Sequence, residues 1–159
     1  MFREMRRNKQ LLSKEETINI LNSCTSGVLA VLGDDGYPYT VPLSYAYKDN
    51  KIYFHCAKSG HKIAAIKKCD KASFCIVSKD DVCAEKFTTL FKSVVAFGRI
   101  KLLTTENEMI EPIKILTRKY VNCDDDAIIS EYNSSKGNMY MLVFEIEHIT
   151  GKQCIELTK

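Results

Sequence analysis

The densest chemical signal in the chain is a run of five residues, Lys58-Ser59-Gly60-His61-Lys62, which sets three potentially cationic side chains around the start of a short helical pattern. A helix N-terminus already carries about half a positive charge and unsatisfied N–H groups, so each cation there costs on the order of a few tenths of a kcal/mol. An anion held between them reverses that sign. Ser59 and Gly60 let backbone amides approach closely, so the unit reads as a phosphate cradle. The same five residues, taken alone, also describe lysines that swing out into water.

A second group lies upstream. Thr40-Val41-Pro42-Leu43-Ser44-Tyr45 is a strand-like run about one strand pair from His55-Cys56, and Pro42 cannot donate a ladder hydrogen bond. Backbone groups freed beside such a proline need partners, and a flat heterocycle with alternating donors and acceptors would supply them. An ordinary edge strand protected by proline fits these residues equally well.

Other chemistries find less support. His55 and His61 have no acid or Cys at ligand spacing, so no metal site is expected. Cys56 follows His55 directly, and neighbours on a strand point to opposite faces, so the imidazole cannot activate the thiol. No Gly-x-Ser-x-Gly elbow is present. Asp124-Asp125-Asp126 lacks the spacing and central Gly of an EF-hand and reads as the start of a short helix or a loop. His148, on a strand face with Leu142, Phe144 and Ile146, is expected to be a hydrogen-bonded, partly buried residue.

The elements that would position these groups follow from local patterns. Ser13-Lys14-Glu15-Glu16 has capping-box form and opens a helix ending near Ser23. Gly27 to Leu32 is a β-rich run, Asp34-Asp35-Gly36 supplies a φ > 0 turn, and a second strand begins at Tyr37. Asp49-Asn50 turns the chain into the strand Lys51 to Cys56, and Ile63 and Ile66 share one face of the helix His61 to Lys68. Ala72 to Val77 and Ser93 to Leu103 read as strands. Thr105-x-x-Glu108 caps a helix to about Tyr120, and Met139 to Ile149 is the closing strand. Six or seven strands, hairpins first, with three or four interspersed helices, predict a mainly β (α+β) class and a six-stranded antiparallel barrel with peripheral helices.

The whole chain agrees with one domain over residues 1–159: 45% hydrophobic, 27% charged, with a net charge of +3. The basic and acidic residues are too evenly mixed for a nucleic-acid footprint. The longest apolar stretch, Val28 to Leu32, is far short of the roughly 20 residues that cross a bilayer. Seven Cys without a Cys-x-x-Cys fit free thiols in a reducing compartment, and the basic N-terminus lacks the apolar core of a secretory signal, so a cytoplasmic protein is expected.

Met1-Phe2-Arg3-Glu4-Met5-Arg6-Arg7, the Asp35-Gly36-Tyr37-Pro38 turn, Val41-Pro42-Leu43, Tyr53-Phe54-His55-Cys56-Ala57-Lys58, Gly60-His61-Lys62, Glu85-Lys86-Phe87-Thr88-Thr89, Ser93-Val94, Phe97-Gly98-Arg99 and His148-Ile149-Thr150-Gly151-Lys152 are familiar in this order. Together they resemble the 5-nitroimidazole-resistance (Nim) branch of the pyridoxamine 5′-phosphate oxidase-like family nearly end to end. The resemblance implies a split β-barrel that forms a homodimer and binds FMN at the subunit interface. It implies that Thr40, Val41, Pro42, Leu43, Ser44 and Tyr45 line the isoalloxazine ring, and that His55 and Cys56 flank the ribityl chain. Ala57, Lys58 and Gly60 lead into His61 and Lys62, which hold the phosphate, and Ser93 offers a polar side chain to the flavin.

Two departures stand out. Oxidases of vitamin B6 proper carry Arg where this chain has Thr40 and His61, and they continue into an Arg-containing segment where this sequence stops at Lys159. Vitamin B6 oxidation is therefore not expected. The resemblance points instead to an FMN-dependent reductase that takes electrons from a donor such as NAD(P)H and passes them to a small electrophile, a nitroimidazole or another nitroaromatic, with His55 beside the reaction. A module that holds flavin or haem without turnover is the alternative.

Overall fold

Turn chemistry starts the fold. The computed structural model describes residues 1–158. Strands β1 (Ser26–Leu32) and β2 (Pro38–Ser44) are joined where Asp35 (φ 55°) and Gly36 (φ 78°) both turn left-handed. Asp49 (φ 50°) and Asn50 (φ 61°) do the same between β3 (Ala46–Lys48) and β4 (Lys51–Ala57). Paired left-handed residues match the twist of the flanking strands, which makes both connections tight hairpins. Helix α1 (Lys14–Ser23) opens with the expected reciprocal cap: the Glu16 N–H donates to Ser13 Oγ, and the Ser13 N–H donates to Glu16 Oε2, each at 3.1 Å. Helix α2 (His61–Lys68) follows β4. The remaining elements are β5 (Lys71–Cys83), β6 (Thr88–Leu103), α3 (Glu106–Tyr120), α4 (Asp125–Ser135) and β7 (Met139–Gln153).

All strand pairs are antiparallel, in the order β2-β1-β5-β6-β7-β4-β3. The two edge strands, β2 and β3, are joined through Tyr45 alone. In a flat sheet, edges six spacings apart would stand about 29 Å from each other, whereas two virtual bonds span at most about 7.6 Å. The sheet must therefore curl until its edges meet. Tyr120 pins this joint: its hydroxyl accepts from the Tyr45 N–H at 3.0 Å and lies 2.6 Å from the Thr25 carbonyl and 2.7 Å from that of Tyr45. Closure is incomplete. The β3–β4 ladder stops at Tyr53, so from Phe54 to Ala57 strand β4 keeps only β7 as partner. The barrel is split along that side. Seven strands stand where six were expected because Tyr45 divides the run from Pro38 to Lys48 between the two edges.

Inward side chains of every long strand, including Leu29, Phe54, Phe74, Ile100 and Phe144, form the main core with Ile63 and Ile66 of α2. Helices α3 and α4 cover the outer face of β4 and β7 through a second apolar cluster built on Met109, Leu116, Tyr132 and Met141. The outer face of β1, β2, β5 and β6 has no such cover.

Two expectations change and one open alternative closes. Residues 80–83 and 88–91 have ladder partners only in each other, extending β5 and β6 into a ribbon beyond the sheet. Polar Lys79-Asp80-Asp81 conceals this extension from an apolar pattern. Of the helix start or loop read at Asp124, the structure has the helix: Asp124 accepts from the Ala127 N–H at 2.9 Å and caps α4. His148 does not share the face of Ile146. A register shift lets Gly98 oppose Ile146 and Phe97 oppose His148, leaving Glu147 as the extra residue. That bulge turns His148 outward, where it stacks on Phe2 with ring centroids 4.8 Å apart.

Candidate cofactor-binding site

Gly60 sets the entry to α2 with φ 123° and ψ 174°, a conformation open essentially only to glycine. A Cβ placed there would meet no atom within 4 Å, so the space in front of the helix is open. No side chain caps α2, and its first turn holds no acid. The leading N–H groups of a helix have no intrahelical acceptors. Lys62 stands among them and, like Lys58, forms no ion pair among the described residues. The Lys58 ammonium lies 5.3 Å from the centroid of the Tyr140 ring. An anion with several acceptor oxygens fits this arrangement, and a phosphate is such a group.

His61 has partners within the chain. Its Nε2 accepts from the Asp34 N–H at 3.4 Å and lies 3.6 Å from the Asp34 carboxylate. Its ring packs on Tyr39 at 4.2 Å between centroids. The imidazole therefore ties α2 to the β1–β2 turn, while Lys62 makes no such contact. Lys68 binds the same Asp34 at 2.9 Å. That ammonium, by its hydrogen bond and then its charge, holds the Asp34 carboxyl below its usual range.

On β4 the side chains alternate as the strand period requires: Cys56 is buried, while His55 and Ala57 are exposed. Burial pushes the Cys56 thiol up, with the Lys62 ammonium pulling the other way. A thiol so placed is a poor nucleophile at neutral pH.

The β2 residues divide between two environments. Thr40, Pro42 and Ser44 face outward, while Val41 and Leu43 are half-buried against the main core. Tyr45 is sealed inside, its hydroxyl donating to the Leu21 carbonyl at 2.8 Å. Its side chain has no route to a ligand, so the expected lining by Tyr45 reduces to its backbone. On the side away from β1, strand β2 has no ladder partner.

Registers extend the outward face. Val28 stands beside Pro42 and Cys75, with Val95 and Thr150 beyond. Ala30 stands beside Thr40 and Ser73, followed by Phe97 and His148. Ser93 pairs with Val77 in the next row. The first two rows hold no Asp, Glu, Lys or Arg, whereas the Ser93 row ends at Lys152; Val28 is 40% exposed and Val77 59%. The solvated face of an antiparallel sheet is normally polar. The structure thus sets His55, Cys56 and Ala57 at the end of β4, Lys58, Gly60, His61 and Lys62 at the start of α2, and Thr40, Pro42, Ser44 and Ser93 on the outward face. Sequence reasoning missed the face because its members come from five strands and become neighbours only through register. It also missed Tyr39, Tyr140 and Asp34, whose contacts with His61 and Lys58 join residues far apart in the chain.

Residues 13–153 match the model of the family described as pyridoxamine 5′-phosphate oxidase. This chain belongs to the pyridoxamine 5′-phosphate oxidase family. No curated protein matches it in sequence. Solved structures carry the same fold. A candidate 5-nitroimidazole antibiotic resistance protein from Bacteroides thetaiotaomicron superposes with a TM-score of 0.74 at 17% identity, over 90% of this chain and 86% of the other. An FAD-binding protein from Mesorhizobium loti gives 0.65 at 23% identity, over 91% and 97%. An FAD and heme binding protein from Mycobacterium smegmatis gives 0.75 at 15% identity, over 92% and 74%. Within this oxidase-family fold, the open entry to α2 and the uncharged face are features of the present chain's own residues.

Proposed function

We propose that this chain is a flavin-dependent oxidoreductase, holding FMN between two copies of itself and passing electrons from a reduced nicotinamide to a small electrophile such as a nitroimidazole. The observation that carries the reading is the start of α2: an uncapped helix without acids, an open glycine and unpaired lysines at 58 and 62. The Bacteroides relative's name points to nitroimidazoles, and the names of the other two to flavin.

Bound FMN would supply hydride and single-electron chemistry. The chain's part is to bind and orient. Lys62 and the leading N–H groups of α2 neutralise the phosphate, the unpartnered side of β2 offers hydrogen-bonding groups to a ring edge, and the uncharged face of β1, β2, β5 and β6 excludes water once a second copy covers it. His55, exposed on β4, positions the incoming electrophile while water supplies protons.

The test begins with absorbance of the purified full chain: a flavin double band supports the reading, and a Soret band in its place supports a haem-binding module instead. Anaerobic mixing with a nicotinamide donor and then a nitroimidazole should bleach and restore the flavin band. A flavin that neither bleaches nor recovers would leave a binding protein without turnover.

A further inference from the structure

A separate cleft of about 590 Å³ lies between the N-terminal segment, α1 and the end of β7. It shares no residue with the start of α2 or with β2. Met5, Leu11, Ile18 and Ile149 give it apolar walls, and they account for an otherwise unexplained feature, Leu11, which is 48% exposed. Concave, mostly apolar spaces of about 300–1,000 Å³ with a few polar groups are the usual form of small-molecule sites. Two cations, Arg3 and Lys14, line this one together with a single acid, Glu4. Neither cation forms an ion pair among the described residues. Residues 3–5 form one wall, and the chain just before them is held by Phe2, which stacks on His148 and lies 5.6 Å from the Phe97 ring.

We infer that this cleft binds a small apolar organic anion, a carboxylate or sulfonate on an aromatic or branched body, whose charge is met by Arg3 and Lys14. The apolar walls take the body out of water, and two unpaired cations against one acid favour a monoanion over a neutral or cationic ligand. The inference does not rest on the flavin reading: it uses none of the residues assigned to the phosphate, and only His148 and Thr150, at the ends of the outward rows, are shared with that face.

The probe is 1-anilinonaphthalene-8-sulfonate, compared with N-phenyl-1-naphthylamine, which has the same rings without the charge. Fluorescence titration of the full chain should show saturable binding of the sulfonate at one site per chain. Arg3→Ala and Lys14→Ala should each weaken it about tenfold and leave the uncharged analogue nearly unchanged. Ile18→Trp, which fills the cleft from the exposed side of α1, should abolish binding of both probes while circular dichroism and melting stay as in the parent. Saturating FMN should not displace the sulfonate. Equal binding of the two probes, insensitivity to all three substitutions, or displacement by FMN would each overturn the inference.

Discussion

At the scale of single residues, the site divides by what a neighbour already claims. His61 is engaged by Asp34 and Tyr39, whereas Lys62 has no counter-ion. Lys62→Ala should therefore weaken FMN binding by about 1.5–3 kcal/mol, the range for hydrogen bonds to charged groups, and leave riboflavin nearly untouched. Equal losses for the two flavins in a titration would place the phosphate elsewhere. His55→Ala should alter apparent affinity for a nitroaromatic more than the saturating rate of flavin reoxidation in stopped flow. A general acid is worth about 10²–10⁴-fold in rate, so a thousandfold fall with FMN still bound would make His55 that acid. Asp34 gives a pH signature. Its carboxyl titrates below the usual value of 3.8 because Lys68 hydrogen-bonds it, so the stabilisation is present above that value and lost as pH falls through the lowered folded one. Comparison of the parent with Lys68→Ala in acid unfolding should show the two converging as the carboxylate is protonated. The pair is exposed, so the gap at neutral pH should be small.

Among the elements, those with local signals were legible in the sequence. The boxes at Ser13 and Thr105, the Asp35-Gly36 and Asp49-Asn50 turns, and the Gly60 entry each encode themselves within a few residues, and the structure shows them where their patterns place them. The bulge opposite Gly98 was not legible, since nothing near His148 reports the slip that reverses its face. It depends on a distant glycine: a Cβ at residue 98 would collide with the backbone carbonyl of Glu145. Gly98→Ala should accordingly destabilise the fold by about 1–3 kcal/mol or more, measured by urea unfolding, because the obstructing atom is backbone and cannot rotate away. The ribbon of β5 and β6 escaped for a related reason, as its polar residues need no buried face when they pair only with each other.

For the whole molecule, the two uncharged rows, which cross five strands, are the surface that the proposed dimer would bury. Val28→Glu places a charge at their centre without touching the core, so it should yield a folded monomer by light scattering and lose FMN binding with it. A folded dimer carrying that substitution would move the subunit contact to another surface. The joint at Tyr45 offers an independent check on closure. Tyr120→Phe leaves the Tyr45 N–H without its acceptor, which should cost about 1–3 kcal/mol, visible as a lower unfolding midpoint.

The strand order also bears on synthesis. β7 pairs with β4 on one side and β6 on the other, yet it leaves the ribosome after both. Until then β4 holds only the three residues of β3, and the inner surfaces of Phe54 and Ile100 have no lid. Distant pairings of this kind are slow to form, and open strand edges invite wrong partners. The nascent chain must carry an unfinished half-barrel through most of its translation, so the interval before Met139 emerges is when a chaperone has most to protect.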